Sequence, residues 1–436
     1  MELVPQQSSL QNGILSLIRT GKFKSGLLSV TTLLPITQKS ACLGPLLLSV
    51  LRRGTEKYPS LPAINRRLDD LYGTGISIRP FYLGDRLALF CSAELLDEAY
   101  LPEPVDLLAG VGELIGQILF HPLLDENGLL CEALVESEKE LQKEKIRSLK
   151  DAPRSYAYSR LLHFFHEGEP VGFPIFGTEE EVAAVTPREL TDFWHQFKES
   201  FCPVCFSVGS LPGERIRAVL EENLPRSGAS LPSLYLREPP LSAKTVRRVE
   251  EPMDISQGHL LLGFRAGTFA GMPGSTAVTV LTELLGGSSS SRLFRNIREA
   301  YGFCYSIGAY YRAERGMVML HCSMRPDRRA FAEEKLLSEL EAIRAGKFSD
   351  EELDIAKKSL RNVCRQMQDS PSSLEDFYRF RLLRGVDDTL AAQGTRIASI
   401  TREDVIAAAR ALSLDTVYFL RGTQRGGDAD VPDDEI

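Results

Sequence analysis

Apolar residues recur with strand and helix periods in one order that appears twice along the chain. In the first half, a β-prone run at 27–34 precedes an apolar helical pattern at 41–53 and an amphipathic one at 62–71. Two predicted strands, at 75–82 and 86–95, follow and are joined by a short turn. The remaining patterns of this half predict helices at 104–119, 126–149 and 153–166 and a strand at 205–208.

The second half repeats this order of elements. A predicted strand at 259–265 leads into helical patterns at 273–285 and 290–300, and two predicted strands follow at 303–312 and 316–324. The remaining patterns predict helices at 327–345, 349–367 and 371–384, a helix that begins at Thr401, and a last strand at 416–420.

The repeat is also visible in the residues themselves. Leu-Tyr-Gly-Thr-Gly-Ile-Ser-Ile at 71–78 aligns with Ala-Tyr-Gly-Phe-Cys-Tyr-Ser-Ile at 300–307. Two homologous halves with this order of elements predict an α+β fold, in which each half forms a mostly antiparallel sheet with helices packed on one side.

Composition changes between the two halves. Prolines and serines concentrate at 210–245, which predicts a linker. The final residues are acidic and predict a disordered tail. The predicted domains are an N-terminal half at 1–210, a linker at 211–245, a C-terminal half at 246–422 and a tail at 423–436.

One stretch of the second half carries candidate chemistry. Gly286, Gly287 and Ser288 have little side-chain bulk, so their backbone can approach a ligand or another chain closely. Arg298 lies near the end of the following predicted helix, and Tyr305 lies in the next predicted strand. A guanidinium and a phenol brought together can bind a peptide carbonyl or a developing oxyanion. The alternative is a surface arginine and a half-buried tyrosine without a special role.

The sequence repeat narrows this candidate site to two side chains. The counterpart of Tyr305 in the first half is Ile76, and the counterpart of Arg298 is Asp69. The helix, the Tyr-Gly pair and the strand are therefore shared architecture, whereas these two polar side chains belong to the second half alone.

Charge and hydropathy exclude several functions. The 436-residue chain has a formal net charge of -8, which argues against nucleic acid or an anionic membrane as the main partner. No apolar run approaches the roughly 20 residues that span a bilayer, and the N-terminus lacks a signal-peptide pattern, so we expect a cytoplasmic protein.

Of the eight cysteines, Cys202 and Cys205 form a single C-x-x-C, for which a structural interpretation is favoured over zinc or redox chemistry.

With these motifs, the chain resembles the insulinase-like (pitrilysin-like) M16 peptidases, in the processing-peptidase subfamily whose members have two such halves and work in pairs. Residues 286–307 match the small-residue turn, Ser-Arg-Leu-Phe, Arg-Glu helix end and Tyr-Ser strand of that family's inactive C-terminal half. The resemblance covers about 15–422 and implies the LuxS/metallopeptidase-like fold.

Active members of that family bind zinc through His-x-x-Glu-His on a helix that precedes a Gly-Thr pair. Counting back from Gly54 in this chain, the two histidine positions hold Pro45 and Ser49, and the catalytic glutamate position holds Leu48. None of the three can fill the role that the motif requires. The chain therefore resembles a non-catalytic subunit, a pseudoenzyme, and an autonomous zinc peptidase is disfavoured.

Other candidate ligands have simpler explanations. Glu140 and Glu144 lie on a predicted helix rich in Glu and Lys, as expected of a solvated face. His163 and His166, with Glu167 after them, are spaced for one helix face but in the order His-x-x-His-Glu, which is not an inverted zincin motif. A structural or interfacial role is favoured for this pair.

The resemblance implies one of two alternative functions. In the first, the chain pairs with a paralogous subunit that carries His-x-x-Glu-His and zinc, and Arg298 and Tyr305 bind the peptide or small-protein substrate and stabilise the oxyanion. In the second, the chain is a non-proteolytic scaffold or accessory protein, because similar bacterial M16-like proteins are associated with modification of elongation factor P.

Overall fold

The computed structural model describes residues 2–11, 13–103, 105–234 and 238–424. The described chain divides into two compact units, which are not contiguous in sequence. Unit 1 comprises residues 1–148, 168–238 and 364–392, and unit 2 comprises residues 149–167, 239–363 and 393–436. No helix in the described ranges is both long enough and apolar enough to cross a membrane.

Unit 1 is built on a six-stranded sheet with the order β1-β2-β6-β3-β5-β4. All neighbours pair antiparallel except β2 and β6, which run parallel. The strands are β1 (Gln6–Leu10), β2 (Gly13–Arg19), β3 (Ser25–Pro35), β4 (Gly75–Leu83), β5 (Arg86–Leu96) and β6 (Val204–Gly209). The helices are α1 (Gln38–Leu51), α2 (Leu61–Asp70), α3 (Leu107–Phe120), α4 (Glu132–Ser148), α6 (Glu179–Ala184), α7 (Pro187–Glu199), α8 (Gly213–Asn223) and α12 (Pro371–Arg384).

Unit 2 is built on a five-stranded sheet with the order β7-β11-β8-β10-β9. The strands are β7 (Arg247–Met253), β8 (Gly258–Arg265), β9 (Cys304–Arg312), β10 (Met317–Met324) and β11 (Ser413–Gly422). The helices are α5 (Pro153–Phe165), α9 (Ser275–Thr282), α10 (Arg329–Arg344) and α14 (Arg402–Ala411), with two π-helices at Glu283–Gly287 and Phe294–Glu299. The unit boundaries fall within α11 (Asp350–Gln366) and α13 (Leu390–Ser399).

The two sheets share one topology, which confirms the predicted duplication and the α+β fold class. The order β2-β6-β3-β5-β4 in unit 1 corresponds strand for strand to β7-β11-β8-β10-β9 in unit 2. In both sheets the first of these pairs is parallel and the others are antiparallel. Strand β4 and strand β9, which carry the aligned sequence segments, lie at equivalent edges.

Each sheet is covered by helices on both faces, whereas the sequence analysis predicts helices on one side only. In β3, Leu28, Val30 and Leu34 belong to the main core of unit 1, in which α1 and α3 also lie. Leu27, on the other face, belongs to a second core together with Leu374 and Phe377 of α12. Because successive strand residues point to opposite faces, β3 is buried along almost its whole length, and its polar residues Ser29, Thr31 and Thr32 are buried together with the apolar ones.

In unit 2, α5 covers one face of the sheet. Leu161 and Phe165 of this helix are buried against Leu261 and Met319. A Cβ atom at Gly263, on the same face, would lie 2.8 Å from the Phe165 ring, so a glycine is needed there. Helix α10 packs against β8 and β10. Burying a leucine or phenylalanine side chain contributes about 1.5–3 kcal/mol each, so α5 is an integral part of this unit.

The compact units therefore differ from the contiguous ranges predicted from the sequence. Residues 149–167 belong to unit 2, and residues 364–392 belong to unit 1, because the apolar faces of α5 and α12 are buried in those units. The first part of the predicted linker forms α8, whose Ile216 and Leu220 are buried. The predicted tail beyond residue 424 lies outside the described residues.

A buried ion pair connects α12 to the sheet of unit 1. Arg379 donates to Glu375 at 2.8 Å, and Ser29 of β3 donates to the same carboxylate. The guanidinium carbon of Arg379 lies 5.1 Å from the centre of the Phe81 ring and 4.9 Å from that of Phe90. Burial raises the pKa of Glu375, and the charge of Arg379 opposes that rise.

We expect Arg379→Leu to lower the free energy of unfolding by about 3–5 kcal/mol, because it leaves the Glu375 carboxylate buried without its counter-charge. The double variant Glu375→Leu/Arg379→Leu should recover most of that loss, since both charges are then absent. Urea denaturation of both variants measures the difference. A double variant no more stable than Arg379→Leu would show that the charge pairing is not the reason.

Candidate functional site

Arg298 lies on the second π-helix of unit 2, near the end at which the chain turns into β9. Its side chain is exposed, and its guanidinium carbon lies 5.0 Å from the centre of the Phe294 ring. Within the described residues, Arg298 forms no ion pair with a carboxylate. π-Helical turns are rare, and they occur frequently at functional sites. The charge of Arg298 is therefore available to a ligand or to another protein.

Neighbouring side chains on the same helix are anchored instead. Arg292, with a side chain that is 11% exposed, pairs with Glu339 at 2.9 Å and with Glu352 at 3.1 Å. Arg295 pairs with the same Glu352 at 2.7 Å. These buried or half-buried pairs fix the helix to α10 and α11. Sequence reasoning missed this network, because the partners lie more than 40 positions away in the chain.

Tyr305 occupies a β-bulge at the start of β9. Cys304 lies opposite Met324 of β10, whereas Ser306 lies opposite Ser323, so Tyr305 has no partner in the register. Residues that lie opposite each other on paired strands share a face of the sheet, and successive residues along one strand alternate between the two faces. Because their partners Met324 and Ser323 are successive, Cys304 and Ser306 point to opposite faces of the sheet. A bulge of this kind redirects a side chain. The Tyr305 ring is 54% exposed.

The equivalent strand of unit 1 has no bulge at this point. Ile76 lies opposite Ala93 in an unbroken register and packs against the main core. Asp69, the counterpart of Arg298, lies at the end of the regular α-helix α2. The local backbone thus also differs at the two positions where Arg298 and Tyr305 replace Asp69 and Ile76.

The pKa of the Cys304 thiol, in the residue before Tyr305, is affected by the charge of Arg298. A hydrogen bond with Cys322 lowers the pKa of Cys304, burial opposes this, and the positive charge of Arg298 lowers the pKa further. The same contact, together with burial, raises the pKa of Cys322.

The small residues before this helix have a packing role. A Cβ atom at Gly286 would lie 2.5 Å from the backbone nitrogen of Ala309 and 2.8 Å from Leu293 Cδ1. Gly286 therefore allows the first π-helix to approach β9 closely. Gly287 is exposed, and the carbonyl of Ser288 accepts a 2.6 Å hydrogen bond from the Ser291 hydroxyl. A role for these three residues in contacting a partner or substrate stays a prediction.

The helix that would carry a zinc motif is a core helix in this chain. Pro45 is buried within α1, Leu48 is 3% exposed, and Ser49 is half-buried. Proline and leucine side chains offer no metal ligand, and serine is not one of the ligand types that zinc prefers. The residues present at these positions do not fit a zinc ion.

Polar contacts hold α4 against α1 beside these positions. Arg53, just after α1, donates to the buried carboxylate of Glu138. Gln142 donates to the carbonyl of Cys42 at 3.1 Å and to that of Phe176 at 2.9 Å. The polar side chains of α4 that face α1 are thus satisfied by the protein itself.

The other candidate ligands lie apart from one another. Glu140 and Glu144 are exposed on α4, and Glu140 pairs with Lys143 at 2.5 Å. His163 is exposed on α5, whereas His166 is 1% exposed. Across the described ranges, no group of three or more His, Cys, Asp or Glu side chains is arranged to hold a metal ion. Cys202 and Cys205 are buried free thiols, and burial raises the pKa of both.

Comparison with known proteins identifies similar domains. Residues 184–360 match the Peptidase M16 inactive domain. A probable inactive metalloprotease of Bacillus subtilis, YmfF, is 24% identical over 425 residues, which cover 97% of this chain and 99% of that protein. The uncharacterized zinc protease YmxG of the same organism is 25% identical over 303 residues, which cover 69% of this chain and 71% of that protein.

A solved structure shares the fold over nearly the whole chain. The crystal structure of a conserved protein from Enterococcus faecalis V583 matches with a TM-score of 0.89 and 22% sequence identity. The match covers 97% of this chain and 100% of that one. The resemblance stated from the sequence motifs is confirmed by the domain match and these relatives.

We expect Gly286→Ala to destabilise the protein by about 1–3 kcal/mol, because the added methyl group must displace backbone atoms of β9. Gly287→Ala is the matched control. Its Cβ atom would meet the Glu283 carboxylate, the movable end of a flexible side chain. Denaturant unfolding curves compare the two variants, and equal stability losses would contradict the packing role assigned to Gly286.

We expect the purified chain, dialysed against buffer without metal, to hold zinc far below one ion per molecule, because Pro45, Leu48 and Ser49 replace the ligands and the general base. A zinc-binding M16 peptidase purified in the same way is the control for metal loss. Elemental analysis with a peptidase assay tests this. One zinc per chain together with activity in the isolated protein would overturn the assignment.

Proposed function

We propose that this chain is the non-catalytic subunit of a heteromeric zinc peptidase, because residues 184–360 match the Peptidase M16 inactive domain and a probable inactive metalloprotease is similar to it over nearly the whole chain. Its partner would be a paralogous subunit with an intact His-x-x-Glu-His motif. The chain would supply Arg298 and Tyr305 to bind the peptide substrate and to stabilise the oxyanion that forms at the partner's active site. The observation that carries this proposal is the bulge that exposes Tyr305 in unit 2 and has no counterpart in unit 1.

The chemistry of the two side chains supports the proposal. The guanidinium of Arg298 and the hydroxyl of Tyr305 are both hydrogen-bond donors, and negative charge on a carbonyl oxygen requires donors. Neither side chain is engaged by a carboxylate in the described residues, and both are exposed. A chain that served only as a scaffold would not need two free donors at the end of one strand.

The position of β9 in the sheet also supports peptide binding. Strand β9 is the last in the order β7-β11-β8-β10-β9, so its outer side has no strand neighbour within the sheet. Backbone N–H and C=O groups of an edge strand can pair with an extended peptide. A peptide aligned along β9 would pass Tyr305, because that residue lies at the start of the strand.

The relatives are consistent with a paired arrangement. Bacillus subtilis contains both a probable inactive metalloprotease and an uncharacterized zinc protease that resemble this chain. An inactive chain and a zinc-bearing relative in one organism provide the two kinds of subunit that the proposal needs.

We expect Arg298→Ala and Tyr305→Phe each to lower the peptidase rate of a reconstituted pair by about 100- to 1,000-fold, the usual effect of removing one oxyanion donor. The partner is the zinc-motif protein that co-purifies with the tagged chain. Because both side chains are exposed, we expect the variants to assemble normally, which gel filtration of the pair checks.

Two variants provide matched controls. Tyr301→Phe removes the hydroxyl of another tyrosine from the same stretch, 53% exposed, whose ring packs edge-on against Phe331. Arg295→Ala removes a half-exposed arginine from the same helix that is already paired with Glu352. Both should retain the full rate. Unchanged rates for Arg298→Ala and Tyr305→Phe would refute the proposed role, and a stable pair that cleaves no peptide would favour a scaffold.

A further inference from the structure

A cavity of about 360 Å³ lies in unit 2, on the face of the sheet that α5 covers. It is separate from Arg298 and Tyr305, neither of which lines it. Pockets of roughly 300–1,000 Å³ are typical of sites for small ligands. Its walls come from α5 and from strands β8, β9 and β10: Arg154, Ser155, Tyr158, His259, Leu260, Leu261, Tyr310, Arg312, Met319, His321, Cys322 and Ser323.

Two arginines supply positive charge to this cavity. Arg154 donates to the Tyr310 hydroxyl at 3.1 Å, and Arg312 donates to the Tyr158 hydroxyl at 3.1 Å. Within the described residues, neither arginine forms an ion pair with a carboxylate. No aspartate or glutamate lines the cavity, although Glu314 acts on Arg312 from outside it. The positive charge of the walls is therefore not neutralised by the cavity's own residues.

The two histidines of the cavity are neutral at physiological pH. Burial and the charge of Arg154 lower the pKa of His321 to about 4, and the same two causes lower the pKa of His259. Arg154 lies 3.2 Å from Nε2 of His321, which can accept from it as a neutral ring. The ring of His321 also stacks on Tyr310 with centres 5.3 Å apart. The histidines thus hold the wall in place, and the two arginines carry its charge.

A hydrogen-bonded chain orients the second histidine. The Ser306 hydroxyl donates to the Ser323 hydroxyl at 3.0 Å, and Ser323 lies 2.8 Å from Nδ1 of His259. When Ser323 donates to Nδ1, the proton of the neutral ring is on Nε2. The cavity therefore gains a further neutral donor besides the two tyrosine hydroxyls.

Apolar side chains form part of the same walls. Leu261 is 3% exposed and Met319 is 6% exposed, and both belong to the core that α5 closes. A ligand that matches this cavity combines a negative charge, which the arginines bind, with an apolar body that covers Leu261 and Met319. A small inorganic anion satisfies only the first requirement.

We propose that this cavity binds the C-terminal residue of a peptide, with the free α-carboxylate at Arg154 and Arg312 and an apolar side chain against Leu261 and Met319. Arginine is suited to this role because its planar fork binds a carboxylate through two parallel hydrogen bonds. The site is a property of unit 2 alone, so the inference does not depend on the proposed pairing with a zinc peptidase.

Calorimetric titration of the full chain tests the site with three probes. They are an N-acetylated tetrapeptide that ends in phenylalanine with a free carboxylate, the same peptide as its C-terminal amide, and inorganic phosphate. We expect the free acid to bind at least about 10-fold more tightly than the amide, since a charge-assisted bond to each arginine is lost in the amide. Equal binding of acid and amide, no binding at millimolar peptide, or full competition by equimolar phosphate would each overturn the proposal.

Variants assign the binding to this cavity. Arg154→Gln and Arg312→Gln should each weaken binding of the free acid by about 10- to 100-fold, because each removes a charged donor. Both residues are exposed at the rim, so circular dichroism should show an unchanged fold. Arg325→Gln is the control, since this 71% exposed arginine lies outside the cavity and pairs with Asp327. Wild-type affinity in both cavity variants would place the peptide elsewhere and refute the assignment.

Discussion

Burial of the central strands on both faces is the constraint on which the rest of the structure depends. Strand β3 in unit 1 is buried along almost its whole length and strand β8 in unit 2 along all of it, so each needs a helical cover on two sides. In unit 2 the second cover is α5, and in unit 1 it is α12. The strands near the middle are thereby fixed, while β4 and β9 remain at the edges. The candidate chemistry lies on one of these edges.

The duplication supplies a scaffold, and a local departure from it supplies the candidate function. Both edge strands begin after a helix and a Tyr-Gly pair. In unit 1, the register continues through Ile76, which packs against the core. In unit 2, Tyr305 is itself the residue left unpaired in the register between β9 and β10. The equivalent edge strands can therefore pack against the core in one unit and expose a tyrosine side chain in the other, with no change in the order of strands.

The absence of zinc ligands from the motif positions of α1 is matched by the way this helix packs. Burying a cluster of histidines and carboxylates without a metal would be costly, because each polar group would need another partner. Helix α1 instead buries Leu43, Leu46 and Leu47, and α4 is attached to it through Gln142 and through the pairing of Arg53 with Glu138. This part of α1, including Leu48, therefore belongs to the core of unit 1.

The sequence by itself predicted the central strands, most of the long helices, the duplication and the candidate side chains, but not strands β1, β2 and β7 or helices α8 and α13. Periodicity placed strands β4, β5, β9 and β10 to within one or two residues, because their turns and apolar alternation are local. It did not determine which sheet buries α5 and α12. An amphipathic face shows that a helix packs against something, but it does not identify the partner. The bulge at Tyr305 and the placement of Arg154 and Arg312 in the walls of one cavity were likewise decided by tertiary structure. One extra residue in a strand register does not change the hydrophobic periodicity of the sequence, so the bulge cannot be predicted from it. Residues more than 150 positions apart become neighbours only when the sheet and α5 assemble.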